Sequence, residues 1–203
     1  MTRVVLASAS PRRRELLVAL IDHFEVVPSS IEEVLGGDPV ADAEALALAK
    51  ARDVAGRFPD SLVIGSDTIV TDGERSYGKP RDAQDALEMW RSLRGRVHRV
   101  VTGIALVGPG GEVASHSVSE VELSALDDAA VEAYITSGRP MDKAGAYAIQ
   151  DADVPAVARF DGCYCSVMGL PLWRLRELLA STGATCREPS ASFERCAGCP
   201  ERK

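Results

Sequence analysis

The run Leu6-Ala7-Ser8-Ala9-Ser10-Pro11-Arg12-Arg13-Arg14-Glu15-Leu16-Leu17 gathers hydroxyls and guanidinium groups at one turn of the chain. Val4-Val5-Leu6 has the composition of a strand. Ser10 is a suitable N-cap, and Pro11 suits the first helical position, where its missing N–H would be unpaired anyway. Leu16, Leu17 and Leu20 supply an apolar helix face. A strand feeding a helix whose first turn carries Ser8, Ser10, Arg12 and Arg13 has the makings of an anion receptor. Hydroxyls, free backbone N–H groups and the positive end of the helix dipole converge there. Three adjacent arginines oppose that dipole, and a bound polyanion would relieve the conflict. A solvated helix start with no ligand fits the same residues.

Asp67 stands between two apolar runs, Leu62-Val63-Ile64-Gly65 and Thr68-Ile69-Val70. Burying an unpaired charge is costly, so packing explains it poorly. An Asp at a strand end is a natural Mg²⁺ ligand; the competing reading is a turn-forming Asp bonded to its own backbone. Glu32-Glu33 follows a strand and offers a second carboxylate. Pro80 holds Gly78-Lys79-Pro80-Arg81 extended and frames Lys79 as a point charge for phosphate or for solvent. Lys50 fits either a cleft or a surface. Gln150 has an amide able to donate to and accept from a nucleobase edge.

Several chemistries lack their motif. There is no G-x-x-x-x-G-K-[ST], no G-x-S-x-G elbow and no H-E-x-x-H. His23, His98 and His116 are scattered, so carboxylate-plus-metal chemistry is favoured over a Ser-His device. With 203 residues and a net charge of −7, the chain suits one domain and lacks the basic excess of a nucleic-acid or membrane-surface binder. No apolar run approaches the ~20 residues of a membrane span, and the start lacks a signal-peptide pattern. A cytoplasmic protein is expected. Five cysteines, an odd count, argue against a disulfide framework. Cys196-Ala-Gly-Cys199, with Cys186, offers a partial zinc set. The plainer reading is solvent-facing thiols in a loose tail.

The elements that must position these groups follow from periodicity. Strands are expected at residues 4–6, 24–28, 62–65, 68–70, 98–107 and 113–123. Helices are expected from Pro11, over 42–56, from Asp82 to Gly95, from Asp127 to about Gly138, and over 171–182. Asp72-Gly73 signals a hairpin, and residues 144–167 read as strand and loop. The alternation implies an α/β or α+β domain with a mixed sheet. Residues 1–184 form one domain, and 185–203 a flexible Cys-containing tail.

Taken together, these segments resemble the Maf family of nucleoside triphosphate pyrophosphatases. The likeness rests on Ala7-Ser8-Ala9-Ser10-Pro11-Arg12-Arg13, Glu33, Lys50-Ala51, Gly65-Ser66-Asp67-Thr68, Lys79-Pro80-Arg81, Asp142-Lys143-Ala144-Gly145-Ala146-Tyr147 with Gln150, and Met168-Gly169-Leu170-Pro171-Leu172. The resemblance implies an inosine-triphosphatase-like α/β fold, a mixed elongated sheet flanked by helices with two lobes around a cleft. It implies hydrolysis of a nucleoside triphosphate to a monophosphate and pyrophosphate, with Mg²⁺ or Mn²⁺ as cofactor and a homodimer as the assembly. Asp67 matches the proton acceptor and Glu33 a carboxylate that helps bind the cation. Ser8, Arg13, Lys50 and Lys79 match residues of the phosphate site. Arg12, Thr68 and Gln150 look like the branch acting on dTTP and UTP. The alternative is a non-enzymatic, nucleotide-binding regulator of cell division. Asp151 departs from the family's usual glycine, and Cys163-Tyr164-Cys165 replaces a more familiar aromatic and polar stretch.

Overall fold

The computed structural model describes residues 3–151 and 153–202. Its frame is a seven-stranded mixed sheet in the order β2-β1-β3-β5-β6-β7, with β4 also paired to β3. The strands are β1 (Val4–Leu6), β2 (Glu25–Val26), β3 (Leu62–Thr71), β4 (Ser76–Tyr77), β5 (Val97–Gly108), β6 (Gly111–Leu123) and β7 (Val157–Asp161). β1 runs parallel to β2 and β3, and the other pairings are antiparallel. The helices are α1 (Pro11–Leu17), α2 (Pro39–Ala55), α3 (Ala83–Leu93), α4 (Asp128–Thr136), α5 (Tyr164–Met168) and α6 (Leu172–Ser181).

One feature of the pairing creates the cleft. β5 covers one edge of β3 from Val63 to Thr71. The other edge is shared: β1 pairs with Leu62 to Ile64, and β4 with Val70 and Thr71. Among the described residues, no strand lies beside the edge at Gly65–Ile69 between them. Successive strand residues point to opposite faces, so Asp67 and Thr68 are presented on the two sides of this open edge.

Packing divides accordingly. On one face, α2 lays Ala43, Ala47, Ala51 and Val54 over Val5, Val63, Ala105, Ile69 and Val101. The helix comes close because glycines lie beneath it. A Cβ at Gly65 would stand 2.0 Å from the Ala47 carbonyl oxygen, and one at Gly103 would stand 2.1 Å from that of Ala43. The opposite face carries two cores. Leu16, Leu17, Trp173, Leu175 and Leu179 pack on Leu6, Ile64 and Ile104. Trp90, Leu93, Tyr134 and Ile135 pack on Val70, Val100 and Val121.

Four expectations are corrected. Asp67 does not end a strand: β3 runs unbroken through it, with Asp67 opposite Gly103. α2 starts at Pro39 rather than Asp42, because the Asp38 carboxylate caps it by accepting from Val40 and Ala41 N–H. Residues 144–167 include most of α5, for which Cys163 is the N-cap. The segment from Thr185, read as a flexible tail with solvent-facing thiols, packs on the body. Cys196 is 1% exposed, and its carbonyl accepts from Trp173 Nε1 at 2.9 Å.

Candidate active site

At the open edge of β3 lies a cleft of about 500 Å³, within the range of small-molecule sites. Ser8, Arg12, Arg13, Glu33, Lys50, Asp67, Thr68, Lys79 and Gln150 all line it. Every residue singled out for catalysis or binding is therefore brought to one cavity. Arg14 and Glu32 are exposed and do not line it.

The β1–α1 turn supplies Ser8 and the arginines. Ser10 caps α1 by accepting from Arg13 N–H. Arg13 is pinned on three sides. Its Nε donates to the Gly169 carbonyl at 2.9 Å, Nη1 to Ser8 Oγ at 3.2 Å and Nη2 to Thr68 Oγ1 at 3.1 Å. Burial draws the Arg13 guanidinium below its ordinary value; Asp67 opposes this and Arg12 adds to it. Gly169 is further held by Ser66 Oγ, which donates to its carbonyl at 2.9 Å. Arg12 turns to the far wall and pairs with Asp142 at 2.8 Å.

α2 delivers Lys50 from the opposite face. The helix's close seat on Gly65 and Gly103 brings Lys50 Nζ to 2.5 Å from Asp67 Oδ1 and 2.5 Å from Glu33 Oε1. Asp67 and Lys50 are buried, whereas Glu33 is half exposed on the loop before α2. Burial pushes the Glu33 carboxyl upward, but the Lys50 hydrogen bond and the charges of Lys50, Lys79 and Arg13 outweigh it. Glu33 is held below its ordinary value. The two carboxylates thus face a single point and open on the cleft. That oxygen donor set fits Mg²⁺ or Mn²⁺, since Mg²⁺ is typically held by one or two carboxylates with substrate phosphates.

Lys79 and Gln150 make no hydrogen bond among the described residues, and both reach the cleft. Asp142 and Lys143, residues with no role assigned from the sequence, also line it. Their signal was present in the Asp142-Lys143 pair beside Gly145. Tyr147, another lining residue, hydrogen-bonds His98 Nε2 at 2.7 Å from behind. The lining holds Arg12, Arg13, Lys50, Lys79 and Lys143 against Glu33, Asp67 and Asp142. A chain of net charge −7 therefore collects a positive excess in this cleft.

The model of the Maf-like protein family matches residues 3–182. The chain belongs to the Maf family. Among its relatives, a protein of Thermococcus gammatolerans is 48% identical over 178 residues, covering 86% of this chain and 96% of the relative. One of Ruminiclostridium cellulolyticum is 43% identical over 184 residues, covering 88% and 95%. Both relatives are named dTTP/UTP pyrophosphatase. The solved structure of the Staphylococcus aureus Ham1 protein aligns with a TM-score of 0.46 at 16% identity, covering 61% of this chain and 73% of that one. The family match ends at residue 182, so the Cys-containing C-terminal segment lies beyond it.

Proposed function

We propose that this Maf protein hydrolyses dTTP and UTP to the nucleoside monophosphate and pyrophosphate. The observation that carries the reading is the cleft itself, where five cations surround two carboxylates that converge on one ammonium. A triphosphate brings about four negative charges near neutral pH. Each cation within ~4 Å of a phosphate contributes about 4 kcal/mol before desolvation at an effective dielectric constant of ~20. The cleft's excess of two positive charges and one divalent cation balance that load. The relatives' names are the support for dTTP and UTP as the substrates.

In this reading Arg13, Ser8, Lys50 and Lys79 bind the phosphates. Arg13 is held in place before substrate arrives by its three protein acceptors. Glu33 and Asp67 hold the divalent cation, which when bound stabilises phosphoryl charge and lowers the pKa of water. Asp67 is the proton acceptor: Oδ1 faces Lys50, leaving Oδ2 to take the proton of the attacking water. The water oxygen bonds to the α-phosphorus, the bond to the α,β-bridging oxygen breaks, and pyrophosphate leaves with the electron pair. Lys79 and Arg13 stabilise the charge that develops on it. Gln150, with Arg12 and Thr68 nearby on the cleft wall, reads the base through its unoccupied amide. A homodimer, a cytoplasmic setting and dependence on Mg²⁺ or Mn²⁺ complete the reading. Among the described residues, no helix is long and apolar enough to cross a membrane.

The test is product identity. Incubated with dTTP, UTP, CTP or GTP and Mg²⁺ or Mn²⁺, the protein is expected to release pyrophosphate from dTTP and UTP foremost. Asp67→Asn is expected to lower kcat by about 10²–10⁴ while still binding nucleotide. Release of orthophosphate, or tight nucleotide binding with no turnover, would overturn the assignment; the latter outcome fits the regulator.

A further inference from the structure

Four of the five cysteines meet at one place, far from each other in sequence. Cys163 and Cys165 sit where the chain leaves β7 and enters α5. Cys196 ends a 3₁₀ turn (Glu194–Cys196) of the C-terminal segment, and Cys199 follows three residues later. Cys165 Sγ is 3.4 Å from Cys196 Sγ. Cys163, Cys165 and Cys196 are buried in one apolar core cluster, and Cys199 packs against it. The donor atoms of Cys163, Cys199 and Glu201 lie within 4.8 Å of one another. Cys186 packs against the same core but belongs to neither of these donor groups.

We propose that Cys163, Cys165, Cys196 and Cys199 bind one zinc ion, which fastens the C-terminal segment to the body of the enzyme. Structural zinc sites are typically closed and tetrahedral, and four thiolates are a standard set. At a Zn–S length of about 2.3 Å, the edge of such a tetrahedron is about 3.8 Å. The Cys165–Cys196 sulfur separation of 3.4 Å is close to that edge and far from the ~2.05 Å of a disulfide. The Cys-x-Cys and Cys-x-x-Cys spacings each let one turn of chain present two sulfurs to one ion. The surroundings also suit a cation. Ser166 N–H donates to Cys163 Sγ at 3.4 Å, the kind of outer hydrogen bond that steadies a thiolate ligand. Glu201 Oε2 is buried with no hydrogen bond from the described residues, and a carboxylate there is stabilised by a neighbouring positive charge.

The segment needs such a fastening. From Thr185 to Arg202 its only large apolar side chain is Phe193, so hydrophobic burial alone gives it little hold. Ligation supplies folding energy directly, as in small metal-held modules. The ion's position also reaches the cleft. α5 begins at the ligands and ends at Val167 and Met168, which line the cleft, and at Gly169, whose carbonyl accepts from Arg13. Thr102 Oγ1 meanwhile donates to the Ser166 carbonyl at 2.8 Å. The zinc therefore steadies the wall that holds the phosphate-binding arginine, without touching substrate.

The experiment is metal analysis of the full-length protein purified under reducing conditions. About one zinc per chain is expected, together with release of four thiols on denaturation in chelator. Cobalt(II) replacing the zinc should give the intense charge-transfer and ligand-field bands of a tetrahedral tetrathiolate. Cys199→Ser, at a half-buried position, and Cys163→Ser should each lose the metal and lower Tm, whereas Cys186→Ser should keep both. Purified wild-type protein with no bound zinc and no cobalt tetrathiolate spectrum would overturn the proposal. So would a chain mass showing Cys165–Cys196 or Cys163–Cys199 disulfides under those conditions. Because the readouts are metal content and spectrum, failure here is separate from failure of the pyrophosphatase reading.

Discussion

Lys50 is the residue on which the site turns. One ammonium satisfies two carboxylates, one buried and one half exposed. Removing it would leave the buried Asp67 carboxylate without its ion-pair partner, which is the costly side of breaking a buried pair. Its spacing on an alanine-rich helix was compatible with a surface charge, and nothing local distinguished the two readings. His98 is a different case. Its ring backs Tyr147 with a 2.7 Å hydrogen bond, and burial lowers its pKa from 6.5 to about 4. Between those values the unfolded chain takes up a proton that the folded chain refuses. The contribution is therefore whole above pH 6.5 and is lost as pH falls toward 4, amounting to about 3 kcal/mol. Tm of the wild type should drop across this window. His98→Gln, which keeps a partner for Tyr147, should flatten that drop by about 6–12 °C. An unchanged slope would show that His98 does not carry it.

At the scale of elements, the seat of α2 on the sheet decides whether Lys50 meets Asp67. Gly65 and Gly103 are required by the closeness of that seat, because added Cβ atoms would strike backbone carbonyls at 2.0 and 2.1 Å. Gly103→Ala should push the helix outward and cost about 1–3 kcal/mol, the range for overpacking. At 2–4 °C per kcal/mol for a chain of this size, Tm should fall by about 5 °C. Turnover should fall with it, since the Lys50–Asp67 contact opens. A variant with wild-type Tm and kcat would show that the helix has room to spare. Most elements were legible beforehand. The Ser10, Asp82 and Asp127 caps and the apolar spacing of α3 and α6 all stand where local chemistry places them. α5 was not legible, because a five-residue helix leaves too short a period to read.

For the whole molecule, the cleft is assembled from both flanks of the open β3 edge. A bound nucleotide would tie α1, the loop before α2, β3 and the residue 142–150 segment together. A non-hydrolysable dTTP or UTP analogue at 100 times its Kd, with Mg²⁺, should stabilise the fold by about 2.7 kcal/mol. Differential scanning should then show Tm raised by about 5–10 °C. No shift at saturating analogue would rule out this cavity as the nucleotide site.

Chemistry that depends on neighbours along the chain could be read directly from residue order. The anion-binding turn at Ser8–Arg13, the carboxylate held within an apolar run and the helix caps are all of this kind. Which of these groups share a cavity depended on pairing between distant segments. β1 and β4 divide one edge of β3 and leave Asp67 and Thr68 open between them, and no local pattern encodes a missing neighbour. The gathering of Cys163 and Cys165 with Cys196 and Cys199 has the same origin. Sequence separation says nothing of distance once a chain folds back on itself, and only the packed structure brings those side chains into one cluster.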